Sequence, residues 1–226
     1  MGLAEVRNIP DEQRPDKHQS AETAIGDLRF RALLSDEEWN WLPADVQRRF
    51  TKRLAGGRTV VYIGQVKQCR INRAGRALGQ VLRMIGAPLP LSDDVDVPSV
   101  VTVTEDVETG GQIWTRLYAN RSGFPQVLHS SKRFCGPTGL EEYIGFGISM
   151  ALTVSVEDGV LTFRSAAYHL RIGSLQLRLP RWLEPGALTV THRNQDNGRF
   201  AFGLVLEHPM FGTLIEQVGH YREEMP

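Results

Sequence analysis

The spacing of apolar residues changes along the chain, from a helix-like period in the first part to strict alternation later. The stretch "LPADVQRRFTKRLAGG" places Val46, Phe50 and Leu54 four residues apart, and "GRALGQVLRMIGAPLP" carries a second amphipathic stripe. The stretch "TAIGDLRFRALL" also has helical spacing, and Ser35 with Glu38 forms the pattern of a capping box. We therefore predict helices only before about residue 90.

Alternating runs separated by turn signals fill the rest of the chain. The hairpin signals are Gly110-Gly111, Asp158-Gly159 and Asn197-Gly198, and "RTVVYIGQVKQCRI" adds a β-branched strand before them. Roughly nine or ten strands joined by short turns predict a meandering antiparallel sheet, which must curl or close because closure removes its edges. The predicted fold is mainly β (α+β): an antiparallel, strongly coiled sheet or a closed lipocalin-like barrel with N-terminal helices.

The domain organisation is predicted to be simple. Residues 1–22 are polar and cannot bury a face, which predicts a mobile N-terminal arm, and residues 23–226 are predicted to form a single β-barrel-like domain. The start lacks the apolar segment of a secretory signal, and no window approaches the roughly 20 apolar residues of a membrane span. Two cysteines are too few for a disulfide scaffold, so we expect a cytoplasmic protein with reduced thiols.

Charge and motifs exclude several classes of function. Lys and Arg number 26 and balance 26 Asp and Glu, which argues against a nucleic-acid partner because such binding needs a basic face. The chain has no nucleotide-binding glycine loop, no nucleophile elbow, no zinc-helix motif and no paired-cysteine motif. The sequence therefore predicts no cofactor and no metal site. No pattern in it indicates an oligomeric state.

One predicted strand separates large residues from small ones. In "EEYIGFGISMALTVSVEDG", residues 141–159, the even-numbered residues from 144 to 156 are large and the odd-numbered residues from 145 to 155 are small. Two-residue turns would place Ser149 opposite Tyr168, and in a second hairpin Gly203 opposite His192. The small face could serve barrel coiling, close helix packing, or a cavity that a ligand fills. The candidates for ligand binding on this face are Gly147, Ser149, Ala151 and Gly203.

Candidate chemistry is limited to isolated polar side chains. The catalytic candidates are His192, Tyr168, His169 and Arg164. A lone histidine in a strand is more often a hydrogen-bonded structural residue than a base. The stretch "LRLPRWLEPG" must be an edge or a crossover, since its prolines cannot sit within a sheet. Its Trp182 is a further candidate for ligand binding, either as a plug in a barrel end or as a lid over a cavity.

Several stretches resemble the bacterial domain-of-unknown-function 4166 family. They are "LPADVQRRF", "GQIWTRLYANRSGFPQ", "VEDGVLTFR", "LRLPRWLEPG" and "GRFAFGLVLEHPMFGTLIEQVGHY", over about residues 30 to 222. The resemblance implies a β-rich fold. Members of this family also occur fused to reductases similar to saccharopine dehydrogenase, which implies a link to the metabolism of small apolar molecules. The resemblance supplies no catalytic residues.

Two functional hypotheses follow, together with a structural one. The first is a module that binds a small hydrophobic ligand or metabolite in a β-barrel cavity, without nucleic acid and without a membrane span. The alternative is a cofactor-independent enzyme, an isomerase, cyclase or dehydratase of a natural-product pathway, which needs a shaped pocket and one or two acid/base groups. A filled interior would indicate a purely structural domain. We also predict that one face of the strand "RFAFGLVLEH" is buried.

Overall fold

A computed structural model describes residues 26–84 and 89–224. The predicted arm of residues 1–22 lies outside the described residues. The helices are α1 (Asp36–Trp41), α2 (Ala44–Phe50) and α3 (Arg73–Met84), with short 3-10 helices at Arg31–Leu33 and Arg181–Leu183. The strands are β1 (Thr59–Ile71), β2 (Val97–Asp106), β3 (Gly111–Tyr118), β4 (Gln126–Arg133), β5 (Glu141–Gly145), β6 (Ile148–Glu157), β7 (Val160–Ile172), β8 (Leu175–Arg178), β9 (Ala187–Asn194), β10 (Arg199–His208) and β11 (Gly212–Glu224).

The strands form a closed antiparallel barrel. Their order is β6-β5-β4-β3-β2-β1-β11-β10-β9-β7-β8, and pairing of β6 with β7 closes a ring of ten strands, leaving β8 as an extra strand on β7. The predicted fold class is therefore confirmed in its closed form. All three α-helices precede β2, as the change of period predicts. Closure joins the two ends of the sheet, and the four-residue β8 presents a short unpaired edge outside the ring.

The helical start is only partly as predicted. Ser35 and Glu38 form the predicted capping box at the start of α1. The preceding segment forms no α-helix among the described residues; it turns and then makes the 3-10 helix Arg31–Leu33. The reason is local, because the carboxylate of Asp27 accepts hydrogen bonds from the backbone and side chain of Arg29. Such a bond competes with helix formation.

The connections between antiparallel strands alternate between two ends of the barrel. At one end, called the α2 end, lie residues 26–58 and the turns at 107–110, 134–140, 158–159 and 195–198. At the other, called the α3 end, lie residues 72–84 and 89–96 and the connections at 119–125, 146–147, 173–186 and 209–211. The α2 end is closed by Val46 and Phe50 from α2, and by Phe30, whose ring packs on Phe50, Phe134 and Phe163.

The register of two hairpins differs from the prediction. The turn at Asp158-Gly159 pairs Val156 with Leu161, as predicted, but a β-bulge at Ala166 of β7 shifts the pairing beyond it. Ser149 consequently pairs with His169, and Tyr168 pairs with Met150. In the second hairpin Phe200 pairs with Asn194 across a turn longer than two residues, so Thr191 rather than His192 lies opposite Gly203.

The small face of β6, which the cavity hypothesis places inside the barrel, points outward. The large face of β6 points inward: Met150, Leu152, Val154 and Val156 join the main core. Gly147, Ser149 and Ala151 lie on the outer face, where the neighbouring Glu141 accepts a hydrogen bond from Gln176 of β8. The small residues serve close backbone approach. A β-carbon at Gly147 would collide with the carbonyl of Arg171, and Gly147 also has a left-handed φ of 78°.

The predicted burial of one β10 face is confirmed. Phe200, Phe202, Leu204 and Leu206 point into the barrel, where they meet inward residues of β9 and β11. Phe200 and Leu206 are buried, whereas Phe202 and Leu204 are only half-buried. Both half-buried residues line interior voids, which shows that the middle of the barrel is not filled by side chains.

Candidate binding cavity

Two adjoining voids lie inside the barrel. Their volumes are about 50 and 70 Å³, and both are lined by Arg116, Tyr118, Val190 and Leu204. Larger spaces of about 720 and 580 Å³ are grooves on the outside. Electrostatic interactions are strongest where water is excluded, so the enclosed space is the better candidate for a specific site. The remaining wall is largely apolar and includes Val101, Leu128, Ile144, Met150, Phe163 and Phe202.

Three charged side chains meet in this wall. The Nζ of Lys132 lies 2.7 Å from Oε2 of Glu142, and the hydroxyl of Ser130 donates to Oε1 of Glu142 at 2.6 Å. Nη2 of Arg116 lies 3.8 Å from Oε1 of Glu142, and its Nη1 donates to Ser130 at 3.3 Å. The side chains of Lys132 and Glu142 are only 5% and 7% exposed. Arg116, Lys132 and Glu142 are called the interior charge cluster.

Strand register brings the interior charge cluster together. Period-two alternation on β3 points Trp114, Arg116 and Tyr118 inward. Lys132 on β4 pairs directly with Glu142 on β5, so their side chains share one face. The ammonium of Lys132 also lies 5.4 Å from the ring of Trp114 and 5.6 Å from that of Phe163, within reach of a cation–π attraction.

The electrostatics of the cluster favour an ionised Glu142. Burial alone would raise the pKa of its carboxyl, but attraction to Lys132 and Arg116 outweighs burial and lowers that pKa to about 2. Burial lowers the pKa of Lys132, repulsion from Arg116 lowers it further, and Glu142 opposes both. With Lys132 protonated, the cluster holds two cations and one carboxylate.

Tyr118 adds a polar group to the same space. Its phenol lines both voids, and burial raises its pKa strongly, which keeps the hydroxyl protonated. No hydrogen-bond partner for this hydroxyl exists among residues 26–84 and 89–224. The neighbouring Tyr221 differs, because its hydroxyl lies 2.9 Å from the hydroxyl of Ser99. Tyr118 therefore has a donor to offer to an occupant of the cavity.

The four catalytic candidates from the sequence do not converge on one cavity. Tyr168 points inward and lines the larger void, but its hydroxyl donates to the carbonyl of Gly186 at 2.9 Å. Arg164 lies on the outside, paired with Glu157 at 2.8 Å. His169 is half-buried on the outer face beside Ser149. His192 lies at the α2 end, away from Tyr168.

His192 is enclosed by aromatic rings rather than by polar partners. It is 1% exposed, stacks on Phe200 at 4.8 Å, and meets Phe50 and Phe202 edge-on. Neither ring nitrogen has a hydrogen-bond partner in the described part of the chain. Burial, with a smaller contribution from Arg49, lowers its pKa to about 3. His192 is therefore neutral at pH 7.

Of the candidates for ligand binding, Gly203 borders the smaller void with its backbone, but a β-carbon there would point outward into the side chain of Thr191. Gly147, Ser149 and Ala151 are on the outer face. Trp182 is 78% exposed at the α3 end, so it does not plug the barrel; its neighbour Pro185 lines the cavity instead. Lys132 and Glu142 are not among the site residues predicted from the sequence. A charged side chain at an inward strand position would have indicated them, but the inward positions are known only once the register is known.

The fold and cavity define a closed antiparallel β-barrel with a charged, partly empty interior. The chain belongs to the family described as Domain of unknown function (DUF4166), whose model matches residues 42–221. No curated protein and no solved structure matches the chain. None of the described helices is long and apolar enough to cross a membrane. Within the described ranges, no group of three or more His, Cys, Asp or Glu side chains could hold a metal ion.

Proposed function

We propose that the barrel binds a small hydrophobic molecule that carries an acidic group, in the cavity beside the interior charge cluster. The observation that carries the proposal is the imbalance of two cations, Arg116 and Lys132, against the single carboxylate of Glu142. The half-buried apolar residues around these groups, such as Val190 and Leu204, would contact the hydrophobic part of the ligand. A carboxylate is the simplest acid that fits this pattern.

The energetic argument rests on the cost of unpaired buried charge. A buried ion is tolerated when an opposite charge and hydrogen bonds compensate its lost hydration. Glu142 can neutralise one of the two cations, which leaves the other to lose its proton, to find an anion or to keep part of its water, as the 21% exposed side chain of Arg116 can. An arginine does not lose its proton in proteins, and its planar fork is suited to a carboxylate. Arg116 is therefore the group proposed to hold the acid, with Tyr118 as an additional donor.

The volume of the cavity limits the size of the ligand. A dry cavity of roughly 150 Å³ holds a benzene-sized molecule. The adjoining voids of about 50 and 70 Å³ are on this scale. We therefore expect a small aromatic acid or a branched aliphatic acid, unless Leu82 and Pro185 at the wall of the second void move aside for a longer one.

Calorimetry with matched ligand pairs tests the proposal. Small aromatic and branched aliphatic carboxylates would be titrated beside their neutral amides, with the wild type, Arg116→Met and the control Arg193→Met. Arg193 is exposed on the outer wall of β9. We expect acids to bind and amides not to bind, with a loss of at least about tenfold in Arg116→Met and no change in the control. Equal binding of acid and amide would overturn the proposed role of charge.

Proton linkage gives a second readout of the same site. An anion beside Lys132 favours its protonated form, which opposes the lowering of its pKa by burial and by Arg116. Binding of a carboxylate should therefore draw a proton from the buffer above neutral pH and weaken as the pH rises. Calorimetry in buffers of different ionisation enthalpy measures that proton, and Lys132→Met should abolish its uptake. Proton uptake that persists in Lys132→Met would contradict this account.

The second candidate function is a cofactor-independent enzyme, such as an isomerase, cyclase or dehydratase. The observation that favours it is Lys132 itself, because a buried amine with a lowered pKa can accept a proton from a bound substrate. Molecules that co-purify with the protein would be incubated with the wild type and with Lys132→Met, and followed by mass spectrometry. Conversion by the wild type alone supports the enzyme, and unchanged recovery from both supports binding without catalysis.

A further inference from the structure

Exposed apolar side chains are concentrated at the α3 end of the barrel. Each connection at this end carries at least one large apolar residue that is more than half exposed. Phe124, between β3 and β4, is 93% exposed, and Trp182, between β8 and β9, is 78% exposed. The others are Val81 and Met84 on α3, Phe146 between β5 and β6, Ile172 and Leu175 at the β7–β8 turn, and Met210 and Phe211 between β10 and β11. These residues are called the apolar rim.

The α2 end has a different surface. Its tight turns at Asp158-Gly159 and at 195–198 consist of polar residues and glycine. The large apolar residues exposed among its described residues are Leu28, Trp41 and Val107. The helices α1 and α2 and the ring of Phe30 cover this end. The contrast makes the apolar rim a property of one end and not of the whole surface.

Arginines are interspersed with the apolar rim. Arg83 lies on α3, Arg171 and Arg178 on the β7–β8 hairpin, and Arg181 directly before Trp182; all are exposed. Within residues 26–84 and 89–224, none of the four has a carboxylate within 4.0 Å. Acidic residues at the same end are partly engaged, because Asp93 pairs with Arg76 and Asp96 with Lys67. The free charge beside the apolar side chains is thus mainly positive.

The cavity lies close to the same end. Its larger void is lined by Leu82 of α3, by Leu89 and Pro90 after that helix, and by Pro185 before β9. All four belong to connections of the α3 end. A ligand that enters or leaves by the shortest path therefore passes through the apolar rim.

We propose that the α3 end docks on the surface of an anionic lipid bilayer, from which the barrel takes up, or to which it delivers, its hydrophobic acid. In this arrangement the exposed Trp, Phe, Met and Leu side chains enter the interfacial region and the arginines contact lipid phosphates. The transfer step rests on the function proposed above, whereas the docking step does not.

The arrangement of the rim favours a bilayer over a protein partner. Its apolar residues stand on separate connections around a ring. Among the described rim residues only Phe124 lines the outer groove of about 720 Å³ at this end, so the rim does not form one apolar groove that a peptide could fill. A lipid surface requires no complementary shape, only apolar insertion and negative charge. Trp182 flanked by Arg181 and Leu183 is the combination that anchors proteins at headgroup level.

Vesicle sedimentation tests docking with controls drawn from the opposite end. Phosphatidylcholine vesicles with and without phosphatidylglycerol would be mixed with the wild type, Phe124→Ala/Trp182→Ala, and the control Trp41→Ala/Val107→Ala, which removes side chains of similar exposure. We expect binding to the anionic vesicles only, a loss of at least about tenfold in the rim variant, and no change in the control. Arg178→Glu/Arg181→Glu should also weaken binding at least about tenfold, unlike Arg193→Glu/Arg199→Glu on the outer wall.

Fluorescence then reports which side chain enters the lipid. Vesicles with brominated acyl chains should quench the wild type and Trp41→Phe, but Trp182→Phe should lose most of the quenching while still sedimenting with vesicles. Absence of sedimentation, equal binding to neutral vesicles, or quenching that depends on Trp41 would overturn the proposal. So would a monomer–dimer change in Phe124→Ala/Trp182→Ala, because it would assign the rim to a second copy of the chain.

Separate experiments can disprove the proposed membrane docking and the proposed acid binding. Arg116→Met should lose acid binding in solution and keep vesicle binding, while Phe124→Ala/Trp182→Ala should show the reverse. If Arg116→Met and the wild type bind acids equally, the proposed ligand class is wrong and docking stands on the vesicle result alone. If neither protein binds vesicles while acids still bind, docking is wrong and the ligand proposal stands.

Discussion

At the scale of single residues, the interior charge cluster should tolerate replacement of both members of its ion pair better than the loss of one member. Glu142 is the carboxylate between Lys132 and Arg116. Attraction to these two cations lowers the pKa of Glu142 to about 2 despite its burial. Removing one partner of a buried ion pair leaves an uncompensated charge, which costs about 3–5 kcal/mol, whereas replacing both partners by apolar residues is often nearly neutral. The ion pair within the cluster is therefore expected to contribute little net stability.

This asymmetry gives a prediction for urea unfolding at pH 7. We expect Glu142→Gln to lower the free energy of unfolding by about 3–5 kcal/mol, because Lys132 and Arg116 then face each other without an anion. The double variant Lys132→Met/Glu142→Leu should recover most of that loss, because no ammonium then faces Arg116. If the double variant is less stable than Glu142→Gln, the pair contributes more to folding than its burial suggests.

Two neighbouring phenylalanines on β10 should respond differently to truncation. Phe200 is fully buried among the rings of Tyr62, His192 and Tyr221, whereas Phe202 is half-buried and borders a void. We expect Phe200→Ala to cost about 3–5 kcal/mol and Phe202→Ala clearly less, because part of the space around Phe202 is already empty. Thermal and urea melts of the two variants measure the difference. Equal losses would show that the void beside Phe202 is closed in solution.

At the scale of elements, the sequence predicts the strands better than their faces. Alternation and the Asp158-Gly159 and Asn197-Gly198 turns are enough to place β6, β7, β9 and β10. The β-bulge lies on β7, where Ala166 is the additional residue between Ser165 and Ala167, and no turn signal in the sequence marks it. It exchanges the faces of β7 beyond it, so Tyr168 points inward beside Met150. β6 keeps its alternation, and its small face lies outside because its large face packs in the core.

Gly203 offers a direct check of these faces. A β-carbon there would meet Oγ1 of Thr191 at 2.5 Å on the outer wall, so Gly203→Leu should lower stability by about 1–3 kcal/mol through overpacking. It should leave acid binding unchanged. The contrasting variant Leu204→Phe enlarges an inward side chain and should block the acid. Loss of binding in Gly203→Leu at a temperature where the variant remains folded would mean that this glycine faces the cavity after all.

At the scale of the whole molecule, barrel closure creates the site from distant parts of the chain. Arg116, Lys132 and Glu142 come from three strands, and the apolar wall opposite them comes from β7, β9 and β10. No spacing in the sequence joins these positions, because their proximity depends on the register of every strand between them. The resemblance to the family predicts the fold but no charged interior. The hydrophobic pattern thus predicts the barrel, whereas the charged residues of its interior are recognised only from the closed structure.

The stability of the whole barrel should depend on pH through two interior groups whose pH windows begin at different values and then overlap. The folded pKa of His192 is lowered to about 3, below its usual 6.5. As the pH falls from 6.5, His192 therefore binds a proton in the unfolded chain but stays neutral in the folded barrel. Stability is therefore lost between pH 6.5 and 3, by at most about 5 kcal/mol. The folded pKa of Glu142 is lowered from 4.5 to about 2, so its contribution is lost only below pH 4.5.

Urea unfolding of the wild type and His192→Phe at pH 7, 6 and 5 separates these windows. Phenylalanine preserves a ring of similar size among Phe50, Phe200 and Phe202, and it has no proton to bind. We expect the wild type to lose about 2 kcal/mol more than the variant between pH 6.5 and 5, because each pH unit in this window costs about 1.4 kcal/mol. Parallel pH profiles would show that His192 is solvated or hydrogen-bonded in solution, and that the aromatic enclosure at the α2 end opens.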